Sequence, residues 1–116
     1  MPNYSPIPTI SVDELAVILA DNPESYQLLD VRELSEVSIV NLPHFVVLPL
    51  SEFGEWSNQI QSKLDSQKET IVMCHHGIRS AQMCQWLISQ GFTQVKNVSG
   101  GIDAYAYMVD DSLPRY

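Results

Sequence analysis

The residues best suited to chemistry lie in one short segment, Cys74-His75-His76-Gly77-Ile78-Arg79-Ser80. The apolar residues 70–73 precede Cys74 and predict a buried strand, and Ser80 begins a helical pattern that stops at Gly91. A strand, a loop and a helix start in this order place the cysteine beside free backbone N–H groups and a partial positive charge. Both favour the thiolate over the thiol, so the segment predicts an activated cysteine nucleophile at Cys74.

The other loop residues fit the same chemistry. If the loop curls around the sulfur, its N–H groups point inward and form a concavity that binds anions. Gly77 permits a turn that a Cβ atom would obstruct. Arg79 adds a permanent charge on a planar fork of donors suited to oxyanions, and His75 and His76 can donate hydrogen bonds, with one of them expected to face solvent. We expect these groups to lower the pKa of Cys74 and to stabilise a terminal negative sulfur or oxygen.

The charge balance limits the classes of partner. The chain has 14 acidic and 6 basic residues, which gives a net charge of −8. Nucleic acids and anionic lipids are bound by basic surfaces, so we predict binding to neither nucleic acid nor membrane. An acidic surface would suit a basic partner protein, although it is more often only a matter of solubility. An anionic substrate must therefore be attracted locally, by Arg79 and the loop N–H groups.

The length of 116 residues indicates one domain. Residues 1–8 are rich in proline, and we expect an extended arm there, followed by one domain over residues 9–116. The start of the chain has neither the basic nor the apolar region of a signal peptide, and no apolar run approaches the length of a membrane span. These features predict a cytoplasmic protein.

The cysteine content argues for a thiol role and against a disulfide or a metal. Cys74 and Cys84 are the two cysteines, ten residues apart, and no second pair accompanies them. Cys84 lies in mid-helix on a face with Leu87 and Ile88, so we expect it in the core. Adjacent Cys74, His75 and His76 have no matching cluster of ligands elsewhere, whereas zinc needs about four that converge. We therefore predict no metal and no cofactor.

The remaining apolar pattern predicts strands that alternate with helices. Ser11 and Glu14 fit a capping box at the start of a first helix. The predicted strands cover residues 26–31, 45–48, 70–73 and 95–98, and the predicted helices follow Ser11, Ser51, Ser80 and Gly101. Short strands alternating with helices imply right-handed βαβ units. The expected fold is α/β, with a central parallel sheet of about five strands and helices on both faces.

This fold places two polar residues at one edge of the sheet. Ligands of open α/β sheets bind beyond the carboxyl ends of the strands, and both Asp30 and Cys74 end or follow a predicted strand. We expect Asp30 and Arg32 to pair with each other or to brace the cleft rather than to act directly. Glu33 and Glu36 are predicted to lie on a solvated face. The aromatic residues on helical patterns are expected to be packing residues: Trp56, Trp86, Tyr105 and Tyr107.

Residues 74–80 resemble the active-site loop of single-domain rhodanese-like sulfurtransferases. Leu29-Asp30-Val31-Arg32-Glu33, with Glu36, resembles the strand motif of that family, and the segment from Gly91-Phe92 to Ser99-Gly100-Gly101-Ile102 resembles its C-terminal portion. Many members carry Gly-His-Ile-x-Gly-Ala where this chain has Asn41-Leu42-Pro43-His44-Phe45. That form is more similar to the rhodanese domains attached to some ubiquitin-like-protein-activating enzymes, so the acceptor and the partner stay open.

The resemblance implies a rhodanese-like fold and transfer of sulfur in two steps. The Cys74 thiolate would take the sulfane sulfur of a donor such as thiosulfate, and the resulting persulfide would pass it to a thiophilic acceptor. The loop would bind the donor through His75, His76, Gly77, Ile78, Arg79 and Ser80. We therefore predict a thiosulfate sulfurtransferase-like enzyme.

Three alternatives stay open. The first is a relay module that carries a persulfide for a partner protein, which would act as sulfur donor or acceptor. The second is an interaction domain without activity, which retention of Cys74 and its whole loop disfavours. The third is an oxyanion enzyme similar to cysteine phosphatases or arsenate reductases. The phosphatase signature has five residues between cysteine and arginine, whereas four separate Cys74 from Arg79, and the smaller ring suits one sulfur better than a phosphate.

Overall fold

The structure, a computed structural model, describes residues 6–116. The first five residues of the predicted arm lie outside this range, and residues 6–8 have no regular secondary structure. Five strands form the sheet: β1 Thr9–Ile10, β2 Gln27–Asp30, β3 Val46–Val47, β4 Thr70–Met73 and β5 Val95–Val98. They are all parallel and lie in the order β1-β5-β4-β2-β3, which confirms the predicted parallel sheet.

Helices cover both faces of the sheet, as predicted. They are α1 Val12–Asp21, α2 Leu34–Val37, α3 Phe53–Trp56, α4 Ile60–Lys63, α5 Ile78–Ser89 and α6 Gly101–Met108. The buried residues of α1 and α6 share one apolar core, and those of α3, α4 and α5 share a second core on the opposite face. Among residues 6–116, none of the helices combines the length and the apolar character that crossing a membrane requires.

The alternation of side chains along the central strands divides the two cores. Ile71 and Met73 of β4 face the core of α1 and α6. Val72 and Cys74, which directly follows the strand, face the core of α5. Cys74 is therefore directed toward the helix that follows it in the chain.

Local signals account for most element positions. The capping box at α1 is confirmed, because the Ser11 hydroxyl accepts from the Glu14 N–H group and the Glu14 carboxylate accepts from the Ser11 N–H group. Helix α5 begins at Ile78, two residues earlier than predicted. Strand β1 was missed, because a strand of two residues has no periodicity to detect.

The segment after β3 differs from the prediction. The single helix expected through Trp56, Ile60 and Leu64 is interrupted by a 3-10 turn at Ser57–Gln59, although Trp56 and Ile60 are buried as the spacing indicated. Ser51 does not cap this helix, since its hydroxyl donates to the Glu33 carboxylate instead. A distant carboxylate has therefore replaced the local N-cap contact.

The strand order opens a cleft beside β4. From β2 the chain continues to β3 on one side, and from β4 it continues to β5 on the other side. The loops that follow β2 and β4 therefore diverge, and the crevice between them is where parallel sheets bind ligands. Asp30 is paired in register with Met73, so the segment after Asp30 and the loop that begins at Cys74 form its walls.

Candidate active site

The loop after β4 surrounds the sulfur of Cys74 with donors. Cys74 is 1% exposed, and its Sγ accepts hydrogen bonds from the Gly77 N–H group at 3.1 Å and from the Ser80 N–H group at 3.4 Å. The Ser80 hydroxyl oxygen lies 3.2 Å from the same sulfur. Gly77 precedes the first residue of α5 and has φ +101°, a backbone conformation that residues other than glycine rarely adopt. The curled loop predicted from residues 74–80 therefore exists.

These contacts favour the ionised sulfur. Burial raises the pKa of the Cys74 thiol, but the hydroxyl and N–H group of Ser80 and the N–H groups of Gly77 and His76 lower it by more, and the net direction is downward. The donors thus offset the desolvation of a buried thiolate. The site can supply a sulfur nucleophile at neutral pH more readily than an ordinary cysteine.

The start of α6 holds the loop from behind. The Ile102 N–H group donates to the Cys74 carbonyl at 2.9 Å, and the Asp103 N–H group donates to the His75 carbonyl at 3.1 Å. Free N–H groups at a helix start require partners, and here the loop carbonyls provide them. The carbonyls are drawn away from the sulfur, which leaves the N–H groups of the loop to face it.

Arg79 is held by a residue that the sequence placed on a solvated face. Its guanidinium makes two parallel contacts with the Glu36 carboxylate, at 2.7 and 2.9 Å. The hydrogen bonds to Arg79 lower the pKa of Glu36 to about 2, and the same contacts raise that of Arg79. The prediction for Glu36 was wrong, because its side chain is only 18% exposed and ties α2 to the loop. A donor would meet an arginine that is already oriented and partly neutralised.

Replacing Glu36 with glutamine is expected to lower the free energy of unfolding by about 1–2 kcal/mol at pH 7, since the pair is partly exposed and therefore partly screened by solvent. The pKa of Glu36 is depressed, so its contribution is complete above its unfolded value of 4.5 and is lost as the pH falls toward about 2. The difference between parent and Glu36→Gln should therefore shrink from pH 5 to pH 2.5. Urea unfolding at several pH values measures it.

The matched control is Glu24→Gln, which removes an exposed carboxylate that takes no hydrogen bond from the described residues. Its unfolding free energy should stay within about 0.5 kcal/mol of the parent at every pH. Equal effects of the two substitutions, or a difference for Glu36→Gln that does not change with pH, would contradict the assigned role of the pair.

Asp30 and Arg32 form a buried pair, one of the two roles expected of them. Arg32 is fully buried and its Nη2 atom lies 2.8 Å from the Asp30 carboxylate. A second hydrogen bond from Nη2, also 2.8 Å long, reaches the Val40 carbonyl. The pair thus fixes the segment after β2 to the wall of the cleft.

Tyr116 contacts the loop although its position in the polar tail gave no signal of it. Its ring stacks on His75, with centroids 3.8 Å apart and planes 6° apart. Its hydroxyl donates to the Glu36 carboxylate at 2.8 Å and accepts from Arg32 at 3.0 Å. Tyr116 therefore links three side chains that line the cleft.

The two histidines are placed differently. His75 lies between Tyr116 and His76, and burial followed by the charge of His76 lowers its pKa. Neutral His75 adds no positive charge to the loop near pH 7. The His76 side chain is 58% exposed, which agrees with the expectation that one of the pair faces solvent.

Three possible metal ligands do lie close together, His75, His76 and Asp103, with their ligand atoms within 4.8 Å of one another. His75, however, is enclosed between the rings of Tyr116 and His76, with centroids 3.8 Å away on each side. The Asp103 carboxylate is already bound to Arg115 at 3.1 Å. We assign no metal to this set.

Cys84 lies in the core, as predicted. It is 0% exposed, and burial, with a smaller contribution from the charge of Cys74, raises its pKa to about 12. Burial and a raised pKa both disfavour the thiolate, which is the form of cysteine that attacks or resolves a disulfide. Of the two thiols, Cys74 is therefore the candidate nucleophile.

A parallel sheet with a ring of hydrogen-bond donors around a buried cysteine sulfur after its central strand places the protein among α/β domains with a cysteine-containing loop, and comparison with known proteins identifies the family. The family model described as "Rhodanese-like domain" matches residues 11–107. The chain belongs to the rhodanese-like sulfurtransferase family, as its resemblance in three motifs indicated.

Individual relatives span a range of architectures. The chain is 47% identical over 113 residues to "Rhodanese-like/PpiC domain-containing protein 12, chloroplastic" of Arabidopsis thaliana, covering 96% of this chain but 38% of that protein. It is 33% identical over 81 residues to "Thiosulfate sulfurtransferase GlpE" of Coxiella burnetii, covering 67% of this chain and 69% of that protein. The structure of "Human Single Domain Sulfurtranferase TSTD1" has 25% identity and a TM-score of 0.71, covering 87% and 96%. Against five further curated relatives the chain spans 21–51% of their length.

Proposed function

We propose that this protein moves a sulfane sulfur from a small anionic donor of the thiosulfate type to a thiophilic acceptor, through a persulfide on Cys74. The Cys74 thiolate attacks the outer sulfur of thiosulfate, the S–S bond of the donor breaks, and sulfite leaves with the electron pair. A nucleophilic acceptor then attacks the outer sulfur of the persulfide, and the thiolate is regenerated. One displacement is thereby divided into two.

The single observation that supports this proposal is the set of donors around one buried sulfur. Three hydrogen-bond donors from Gly77 and Ser80 lie within 3.4 Å of Cys74 Sγ. Such a set stabilises the charge of the attacking thiolate, and afterwards the developing thiolate when the outer sulfur departs. The thiosulfate activity named for the Coxiella relative agrees with it.

Intact mass spectrometry tests the proposal. We expect incubation with thiosulfate to add one sulfur, about 32 Da, and a thiophilic anion such as cyanide to remove it. Initial rates should follow a ping-pong pattern, because sulfite leaves before the acceptor reacts. Absence of an adduct with any sulfane donor, or a ternary-complex pattern without labile sulfur, would contradict the proposal.

A relay role for a partner protein is the second candidate, and the exposure of Ile78 favours it. This apolar residue lies in the segment that carries Cys74 and is 72% exposed. An exposed apolar side chain would contact a protein partner, whereas it adds nothing to the binding of a small anion. Under this alternative a cysteine-desulfurase-like protein would load Cys74 faster than thiosulfate does, and Ile78→Ser would slow only the loading by protein. Equal rates from both donors would contradict the relay role.

The expected location is part of the same proposal. We place the protein in the cytoplasm, where thiols stay reduced. The Arabidopsis relative is named as chloroplastic, and a reducing compartment is the property that the chemistry requires.

A further inference from the structure

The hydroxyl group of Ser80 has one hydrogen but two acceptors within reach. Its oxygen lies 3.2 Å from Cys74 Sγ and 2.5 Å from Asn97 Oδ1. A serine hydroxyl donates once, so it can satisfy only one of these acceptors at a time. Which acceptor receives the hydrogen bears directly on the charge of the sulfur.

A neighbouring carbonyl determines the orientation of the Asn97 amide. Asn97 Nδ2 donates to the Gly77 carbonyl at 2.9 Å, and a carbonyl can only accept, so Oδ1 must face Ser80. Ser80 is fully buried and Asn97 is 7% exposed. The amide is thus a fixed acceptor, and it also anchors the loop residue whose N–H group binds the sulfur.

The hydroxyl hydrogen of Ser80 can point to either acceptor, and the charge on Cys74 determines which orientation is favoured. When the sulfur is neutral, the Cys74 thiol can donate to the Ser80 oxygen while the hydroxyl donates to Asn97, and every group is paired. When the sulfur is ionised, the hydroxyl rotates and donates to Sγ, because an anion is the stronger acceptor. The buried Asn97 Oδ1 then loses its partner, at a free-energy cost.

We propose that Asn97 is a positioning residue. Its Oδ1 accepts the hydrogen bond of the Ser80 hydroxyl whenever Cys74 Sγ is uncharged and loses that hydrogen bond to Sγ when the sulfur ionises. In the persulfide the charge lies on the outer sulfur, so the hydroxyl returns to Asn97 and the loaded form is favoured. The inference rests on the proposed function, in which Cys74 alternates between these states. It adds a residue of β5, outside the catalytic loop, that controls the alternation.

The other titratable and charged groups around the sulfur are unchanged by the variants described below. They are Arg79 and Cys84 on α5, Glu36 on α2, His75 and His76 in the loop, and Asp103 on α6. Asp30 and Arg32 beyond β2 neutralise each other in their buried pair, and Tyr116 lies on the far side of His75. These groups act equally on all four proteins of the experiment.

The experiment is a double-mutant cycle read by the pH dependence of alkylation. The rate of reaction of Cys74 with iodoacetamide is measured from pH 5 to pH 10 in the parent, Asn97→Leu, Ser80→Ala and the double variant. Mass spectrometry confirms a single adduct, since Cys84 is buried. In the Ser80→Ala background, Asn97→Leu removes only the hydrogen bond from Asn97 to the Gly77 carbonyl. The difference between the two backgrounds therefore isolates the competition of Asn97 Oδ1 and Cys74 Sγ for the hydrogen bond of the Ser80 hydroxyl.

We expect Asn97→Leu to move the alkylation midpoint to lower pH, relative to its effect in the Ser80→Ala background, by about 0.5–1 pH unit. Ser80→Ala alone should move the midpoint to higher pH. Equal effects of Asn97→Leu in both backgrounds, or a coupling of the opposite sign, would overturn the inference. If thermal unfolding shows that Asn97→Leu is not folded, the same cycle is measured with Asn97→Ala, and its result tests the inference. Alkylation needs no sulfur donor, so this result is independent of the loading test.

Discussion

Replacing Cys74 with serine is expected to abolish the 32 Da adduct and to reduce turnover roughly 10³-fold or more. Serine keeps the size of the side chain and its place among the donors of the loop. Its oxygen, however, is not ionised at neutral pH and cannot form a stable covalent bond to a transferable sulfur. The loss should therefore appear in turnover, while the free energy of unfolding changes little. Release of sulfite from thiosulfate measures the turnover.

The second cysteine provides the matched control. Cys84→Ala removes a thiol from the core of α5, 0% exposed, and should leave loading of Cys74 intact. Its cost is a small cavity, about 1 kcal/mol of unfolding free energy. Persistent loading in Cys74→Ser, or loss of loading in a folded Cys84→Ala, would show that the nucleophile has been misassigned.

Replacing Gly101 with alanine is expected to destabilise the protein by about 2–5 kcal/mol. Gly101 has φ +63°, and a Cβ atom there would overlap the carbonyl oxygens of Cys74 and His75, far inside contact distance. Those carbonyls accept from the first N–H groups of α6, so neither side can move without breaking the contacts that hold the loop. We therefore expect both the unfolding free energy and the rate of sulfur loading to fall. Urea unfolding and intact mass give the two quantities.

Gly91→Ala separates backbone strain from the clash. Gly91 also has a positive φ, +96°, but a Cβ atom there has nothing within 4 Å. Only the conformational penalty applies, about 1–2 kcal/mol, and sulfur loading should be unchanged. A loss of stability in Gly101→Ala no larger than that in Gly91→Ala would mean that the close approach of α6 to the loop contributes little.

The predictions that succeeded depended on neighbours in sequence. The loop could be read from residues 70–80, because an apolar run, a cysteine, a glycine and a helix start occupy consecutive positions and allow few conformations. The capping box of Ser11 and Glu14 also lies within one helical turn. The burial of Cys84 followed from its helical spacing with Leu87. In each case the interacting atoms are brought together by a short stretch of backbone.

The predictions that failed concerned contacts between distant residues. Glu36 looked solvated because it shares a short segment with a second acidic residue, Glu33, yet it meets an arginine 43 positions away. Ser51 resembled a helix cap until a carboxylate 18 positions away took its hydroxyl. No local pattern contains such partners, because the order of the strands determines which loops become neighbours.

The candidate nucleophile and the curl of its loop could therefore be predicted from the eleven consecutive residues 70–80, where local backbone geometry decides the conformation. The contacts that remote residues make with this loop could not be predicted in this way. Asn97 reaches Ser80 only because β5 lies beside β4, and Tyr116 reaches His75 only because the chain after α6 returns to the cleft. These contacts come from packing the whole sheet with its helices, which buries the apolar faces and brings side chains of remote segments against the residues of the loop around Cys74.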